Sequence, residues 1–467
     1  MKQKMRYILL GIGLIIFNAS AFCQTTKWRD IYTVKKKDTI FGIAIKYGLS
    51  LPELMEANPE MKKEGYMLQK GATIFIPFEK NNTATGGTAQ AGRTHAAQKQ
   101  VAPQKKANTV NVGVMLPLHD VDGDGKRMVE FYRGILMACE KLKQQGISTN
   151  IHAWNVPIDA DIRTTLVQEG ANQCDLIFGP LYTKQVAPLA DFCKTYGIKM
   201  VIPFSINGDQ VDRCKEIFQV YQSPESLNDA SIKAFLNRFK NVHPIFVDCN
   251  DTTSRKGNFT FGLRKELEKR KITYSVTNVN SSLEYFAKAF VPSKQNVVIL
   301  NTGRSPQLTQ VLNKLDEFTA KYPGAVISLY GYTEWLMYAK YNLDRFYKYD
   351  TYIPSTFYYN ANSAKTIDLE SKYNIWFHQP MQVAMPRFAI TGYDQAMFFI
   401  QGVNKYGKDF TGQMTQVNYT PVQTPLHFVK TSKGGYRNQI LQLIHYTFNR
   451  QIEAVTYLKS DILKISK

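Results

Sequence analysis

From Thr109 onward the sequence alternates short apolar runs with amphipathic stretches, and this alternation limits the fold more than any other feature. TVNVGVML (109–116), CDLIFGP (174–180) and IKMVIPFS (198–205) are apolar runs of strand length. RMVEFYRGILMACEKLKQQG (127–146), ADIRTTLVQEGANQ (160–173) and KQVAPLADFCKTYG (184–197) lie between them with helical spacing. The series restarts after VYQSPESLNDA (220–230), with HPIFVDC, NVVILN and AVISLY as further strands. Such alternation predicts parallel, doubly wound α/β sheets. Two consecutive series predict two lobes. The expected partition is lobe 1 at about 110–222 and 330–408, and lobe 2 at about 223–329 and 409–467. Ligands of open α/β sheets sit at the carboxyl ends of strands, so two lobes set face to face make a cleft.

Ahead of this body, residues 79–109 contain no aromatic residue and a single acid, and are rich in Gly, Ala, Thr, Gln and Lys. Such a segment buries too little apolar area to offset ordering and is expected to be a disordered linker. It separates the body from a module at 28–78. There Ile31, Tyr32 and Val34 read as a strand. Ile40, Ile43, Ala44 and Tyr47 give one helix an apolar face, with Asp38 or Thr39 as cap and Gly48 as its stop. Ser50 and Glu53 form a capping box for a second helix that Asn58-Pro59 ends, and Thr73 to Ile76 is a last strand. The order is βααβ.

YTVKKKDTIFGIAIKYGLSLPELMEANP followed by LQKGATIFIP resembles the LysM domain. The resemblance implies binding of N-acetylglucosamine polymers, chiefly peptidoglycan and chitin, in a shallow groove. The positions it assigns to that groove are Asp38, Thr39, Ile40 and Phe41 on one wall, and Asn58, Pro59, Leu68, Gln69 and Gly71 on the other. Ile40 and Leu68 serve equally well as core. Lys35, Lys36 and Lys37 stand where the family usually has Pro-Gly, and three ammonium groups beside the groove favour acidic wall peptides over neutral chitin.

GVMLPLHD (113–120), DLIFGPLYTKQVAPLADFCKTYGIKMVIPFS (175–205) and GYDQAMFFI (392–400) resemble the type I periplasmic-binding-protein fold. That family includes receptors for amino acids and other solutes, as well as outer-membrane lipoproteins that activate peptidoglycan synthases. In the amino-acid receptors hydroxyl groups hold the ligand's charged ends. The matching positions are Thr183 and Ser205, with Ile206 where a second hydroxyl is expected and Asn207 next to it. Ile206 leaves a buried charge about 1–3 kcal/mol short of a bond, which weakens an amino-acid assignment. Thr183 serves equally as a helix start.

The first 23 residues carry Lys2, Lys4 and Arg6, then an apolar stretch from Ile8 to Phe17, then Ala19, Ser20 and Ala21. This is the pattern of a secretory signal peptide. Phe22 before Cys23 departs from a lipoprotein signal, so membrane association is expected only if Cys23 is lipidated. The chain of 467 residues has a formal charge of +20. Export turns that basicity toward wall and envelope polyanions, and nucleic acid is not an expected partner. Five cysteines remain beyond Cys23, with no metal-binding spacing; most are expected to be buried thiols, with one disulfide left open.

Two motifs fail on inspection. Asp120 to Gly125 (DVDGDG) opens like a calcium loop, but Phe131 stands where the bidentate Glu belongs, so a turn at the start of a helix is expected. GVNKYGKD (402–409) has the GxxxxGK spacing but follows a helix and ends in Asp409, so it reads as a helix terminus. HExxH, SxxK and GxSxG are absent from the sequence. Tyr330 to Tyr359 holds 12 aromatic residues in 30, which suits a partner surface or sugar platform, or else an elaborate core. The sequence thus predicts an exported, non-catalytic peptidoglycan-binding protein without cofactor or metal. Its two-lobed domain would serve as a scaffold or regulator of wall or envelope proteins. The alternative is a wall-tethered receptor for a small solute.

Overall fold

The computed structural model describes residues 28–36, 38–49, 51–62, 66, 68–77, 109–204, 206 and 208–458. The signal peptide and almost all of the linker expected from the sequence lie outside them.

The N-terminal module is built from β1 (Trp28–Thr33), α1 (Ile40–Lys46), α2 (Leu51–Ala57) and β2 (Thr73–Pro77), in the expected order. β1 and β2 form an antiparallel pair that matches Ile31 with Phe75 and Tyr32 with Ile74. Both helices cover that ribbon, burying Ile43, Ala44, Tyr47 and Leu54 against Tyr32, Ile74 and Ile76. The Thr39 hydroxyl accepts from the Gly42 amide and starts α1, and Gly48 turns the chain out of it at φ +68°.

The chain then enters the first lobe through β3 (Thr109–Leu116), α3 (Gly123–Gln144), β4 (Ser148–Asn155), α4 (Arg163–Leu166), β5 (Leu176–Phe178), α5 (Thr183–Tyr196), β6 (Lys199–Ile202) and β7 (Ile217–Gln219). It crosses to the second lobe for α6 (Pro224–Arg238), β8 (His243–Asp248), α7 (Gly257–Lys269), β9 (Ser275–Asn278), α8 (Leu283–Ala287), β10 (Asn296–Leu300), α9 (Ser305–Lys321), β11 (Ile327–Leu329), α10 (Ala339–Lys348) and β12 (Thr351–Ser355). It returns for α11 (Ala364–Phe377), α12 (Phe388–Tyr406), β13 (Phe428–Lys430) and β14 (Tyr436–Asn438), and ends in the second lobe with β15 (Ile440–Tyr446) and β16 (Ile452–Leu458).

The first lobe's sheet runs β4-β3-β5-β6-β7-β14-β13, parallel except for the β13 edge. Its strands are apolar on both faces because both faces are covered. Val112, Val114, Leu176, Phe178 and Val201 point to the side holding α3 and α12. Met115, Ile177, Met200 and Ile202 alternate with them and meet α5 on the other side. α3 and α12 touch backbone to backbone: a Cβ on Gly134 would lie 1.8 Å from the Ala389 carbonyl oxygen, and one on Gly392 would lie 2.0 Å from that of Phe131. Only glycine at both positions permits this approach.

In the second lobe β9-β8-β10-β11 form a parallel sheet, and β12-β15-β16 an antiparallel one. A bridge between Tyr330 and Tyr352 joins the two. The partition therefore differs from the one read from sequence. Residues 330–355 belong to the second lobe, 364–438 to the first, and the described residues 440–458 to the second. The reason is packing: Tyr330, Trp335, Phe346, Tyr349, Tyr352 and Ile353 fill the second lobe's core. The same fact corrects the surface reading of the aromatic segment. Seven of its 12 aromatic residues are buried, and Tyr341 alone is exposed. Among the described residues three chain crossings connect the lobes, at 220–223, 356–363 and 438–440. They are tied by Gln222 Nε2 donating to the Ile440 carbonyl (2.6 Å) and the Tyr358 amide to that of Gln423 (2.9 Å).

Among the described residues no helix is long and apolar enough to cross a membrane. The N-terminal module rests on the first lobe, with Ile31 packed into that lobe's core cluster and Asp30 paired with Arg133 of α3.

Candidate functional site

The two walls of the expected groove are held together by backbone. Val34, at the exit of β1, donates to the Ala72 carbonyl and accepts from the Gly71 amide, both at 2.9 Å. Gly71 adopts φ +89°, which lets the loop before β2 turn tightly beside the loop before α1. On the first wall the Asp38 carboxylate accepts from the Tyr32 hydroxyl and the Lys35 amide, both at 2.7 Å. The Tyr32 hydrogen bond, with the Lys35 amide, holds the Asp38 carboxyl below the usual carboxylate range. Burial, with Asp38, pushes the Tyr32 hydroxyl up to about 12. Thr39 is exposed, and Ile40 is half-buried against the module core. Phe41 lies in α1, and its side chain is outside the described residues.

On the second wall Pro59 is half-buried, Leu68 leans on the module core, and Gln69 and Gly71 are exposed. Asn58 does not face the groove. It is fully buried, and its amide donates to the Leu54 and Phe75 carbonyls (2.8 and 2.7 Å) while its oxygen accepts from the Phe75 amide (2.8 Å). It closes the module by pairing with the free edge of β2, which corrects its place among the ligand-contacting positions. The remaining groups are a hydroxyl, an amide, backbone and apolar walls, a set suited to reversible contact with sugar hydroxyls, acetamido groups and ring faces. Glycoside hydrolysis needs an acid whose pKa is raised so that it keeps its proton. Asp38 is shifted the other way.

At the carboxyl ends of the first lobe's strands, Asp122 caps α3 by accepting from the Gly125 amide at 2.7 Å. Asp124 pairs with Arg127 at 2.5 Å and accepts from the Tyr182 hydroxyl at 3.3 Å. The calcium-like spacing is thus a helix start, as its sequence suggested. Among the described residues no cluster of three or more His, Cys, Asp or Glu is placed to hold a metal. Thr183 is exposed as the first residue of α5. Ser205 and Asn207 lie outside the described residues, and Ile206 packs against the α5-side core. Phe204 stacks edge-on with Phe131 and lies against Phe388, which makes this end of the lobe strongly apolar.

The second lobe presents a polar network at the same strand ends, one that matches no catalytic or metal-binding motif. Asn301 accepts from the Cys249 amide (2.9 Å) and donates to Asp248 (2.8 Å). Asp251 accepts from the Thr302 and Thr253 hydroxyls, both at 2.7 Å, and the Thr253 hydrogen bond leads in holding its carboxyl below the usual range. Arg304 donates to the Thr253 hydroxyl (2.7 Å), and Lys256 pairs with Glu334 (2.6 Å). The signal was present in DCNDTTSRK after β8 and NTGRS after β10: runs of Asp, Asn, Thr and basic residues directly after apolar strands.

Residues 32–77 match the family model of the LysM domain. Comparison with curated protein sequences yields no match. In three dimensions the chain is similar to a protein described as a branched-chain amino acid ABC transporter from Rhodospirillum rubrum, at 13% identity and a TM-score of 0.52, covering 74% of this chain and 100% of that one. It also aligns with a branched-chain amino acid ABC transporter periplasmic ligand-binding protein from Burkholderia xenovorans (15% identity, 76% and 96% covered, TM-score 0.44). A third alignment is with full-length LpoA from Haemophilus influenzae (14% identity, 76% of this chain, 60% of that one, TM-score 0.44). The chain therefore carries a LysM domain at 32–77, followed by a two-lobed α/β body with the type I periplasmic-binding-protein fold.

Proposed function

We propose that this protein is exported to the cell envelope and binds peptidoglycan without cleaving it, and that its two-lobed body acts as a scaffold or regulator for wall or envelope proteins. The observation that carries the reading is the LysM domain itself, whose Thr39, Gln69 and Gly71 are exposed while its other side rests on the body. Lys35 and Lys36, exposed next to Asp38, favour the acidic peptides of the wall polymer. Full-length protein should sediment with purified sacculi at low salt, and a version lacking residues 24–80 should stay in solution. Equal sedimentation of the two would defeat the proposal. Prolonged incubation with sacculi should release no soluble fragments.

A second reading, receptor for a small solute, is favoured by the fold and by the polar groups at the strand ends, with Thr183 on one lobe and Arg304 and Lys256 on the other. Ser205 and Asn207 are the remaining candidates from sequence. A solute screen on the full chain should raise the melting temperature if a ligand enters the cleft. A broad screen without any shift favours the scaffold.

A further inference from the structure

The linker composition suggests a module swinging freely at the end of a tether. The contacts between the module and the first lobe say otherwise. Asp30 of β1 has no solvent exposure, and its carboxylate meets Arg133 Nε at 2.7 Å in the middle of α3. The other carboxylate oxygen accepts from the Tyr47 hydroxyl of the module at 3.2 Å. Arg133 in turn donates to the Tyr373 hydroxyl of α11 (3.2 Å) and lies over the Phe377 ring at 5.1 Å. Tyr373 donates to Glu130, one turn back on α3. Tyr47 stands edge-on to His378, at the end of α11, at 5.7 Å. Ile31 packs into the first lobe's core, with Phe75 beside it.

We propose that the LysM domain is seated in cis on α3 and α11 through the Asp30–Arg133 pair, so that module and first lobe form one orienting unit. A buried carboxylate without its guanidinium, or the reverse, is strongly unfavourable, so the pair makes the seat selective for one pose. In this pose Thr39, Gln69 and Gly71 of the groove remain exposed. α3 carries the seat at Arg133 and the cleft edge at Arg127 and Asp122, roughly 9 and 17 Å away along the helix. A second strut runs from the seat through the segment after α11, where Arg387 donates to the Gln382 carbonyl (2.6 Å) and Gln382 to that of Lys126 (3.1 Å). A glycan strand held in the groove would therefore fix the direction in which the cleft faces. That last consequence rests on the wall-binding reading; the seat does not.

The test is a pair of nitroxide labels on the full chain starting at Gln24, at Lys36→Cys in the module and Lys143→Cys on α3. The five native thiols of the described residues are buried. A seated module gives one narrow distance distribution without any glycan present. A module released on 31 intervening residues (78–108) would spread over about 30 Å. Arg133→Met should broaden the distribution roughly threefold or more, and Asp30→Arg with Arg133→Asp should narrow it again. A broad distribution in the parent chain overturns the seat. A narrow one that Arg133→Met leaves unchanged overturns the ion pair as its clamp. A distance that vanishes on dilution with unlabelled chain shows seating in trans and overturns the cis arrangement. Sacculus binding, measured separately, decides the wall-binding reading.

Discussion

Replacing Asn58 by Ala separates a structural role from a ligand-binding one. The side chain makes three hydrogen bonds, to the Leu54 carbonyl and to both backbone groups of Phe75, and none of it reaches solvent. At about 1 kcal/mol net for each bond, the loss is about 3 kcal/mol, and more if the buried partners stay unsatisfied. A module of this size has about 2–7 kcal/mol of stability in total, so the substitution removes a large share of it. Hydrogen exchange on the full chain reads the effect directly. Protection of the β2 amides should fall on the order of 100-fold, while β3 and β5 of the body keep theirs. Sacculus binding should weaken only because the module opens. Gln69→Ala is the contrast: its side chain is exposed, so it should weaken binding and leave β2 protection intact. If Asn58→Ala abolished sacculus binding with β2 protection unchanged, the side chain would be touching glycan and the reasoning would fail.

Gly392→Ala forces a methyl within 2.0 Å of the Phe131 carbonyl oxygen, where only separation of α3 from α12 relieves it; a loss of about 3 kcal/mol or more should lower the melting temperature of the full chain clearly, and a melting temperature matching the parent would refute the close crossing. Burial pushes Asp394 up to about 6 even though Tyr419 and the amides of Val422, Gln423 and Thr424 all donate to it. The native state then binds this proton more tightly than the unfolded chain does. The contribution is therefore fully present below about 4 and lost as pH rises through about 6, on the order of 3 kcal/mol. The stability gap between parent and Asp394→Asn, from denaturant titrations, should shrink between pH 4 and pH 7; a constant gap would refute the shift. Cys139, Cys174, Cys193, Cys214 and Cys249 are buried, and burial pushes every one of these thiols up, Cys214 to about 11. In a chain starting at Gln24, a thiol reagent at pH 8 should find none of the five until denaturant is added, and then all five; fewer would reveal a disulfide.

The sheets were legible because their strands are buried on both faces, which makes them continuous apolar runs that need no partner to be recognised. The LysM module was legible because its capping and turn residues act locally, as Thr39 and Gly48 do. What escaped depends on pairing between distant residues. β14 lies beside β7 and β15 beside β12, across gaps that no local pattern spans, and these pairings decide where the lobes divide. The tyrosines of 330–352 look like a sticky surface in sequence because Tyr suits core and interface alike; only the second lobe's geometry sends Tyr330, Tyr349 and Tyr352 inward. Asn58 sits in a ligand-wall position by register, and its burial follows from the edge of β2 passing behind it. Asp30 and Arg133 lie 103 residues apart, and no local pattern marks them as partners.

The placement of the seat bears on both functional readings. The module's contacts named above fall on α3 and on α11 with its following residue His378, all in the first lobe. Among the described residues the chain passes between the lobes three times, at 220–223, 356–363 and 438–440, the arrangement from which hinge closure is built. A seat spanning both lobes would brace the hinge; the contacts named here stay on the first lobe and add no brace across it. Attachment to wall glycan and closure of the cleft are then mechanically compatible, and closure would swing the second lobe relative to the wall. A solute or partner that closes the cleft should therefore shorten the distance between a label on the module and one at Lys265 of α7. The distance from the module to Lys143 should not change. Equal changes in both would mean that the module rides on the hinge and not on the first lobe.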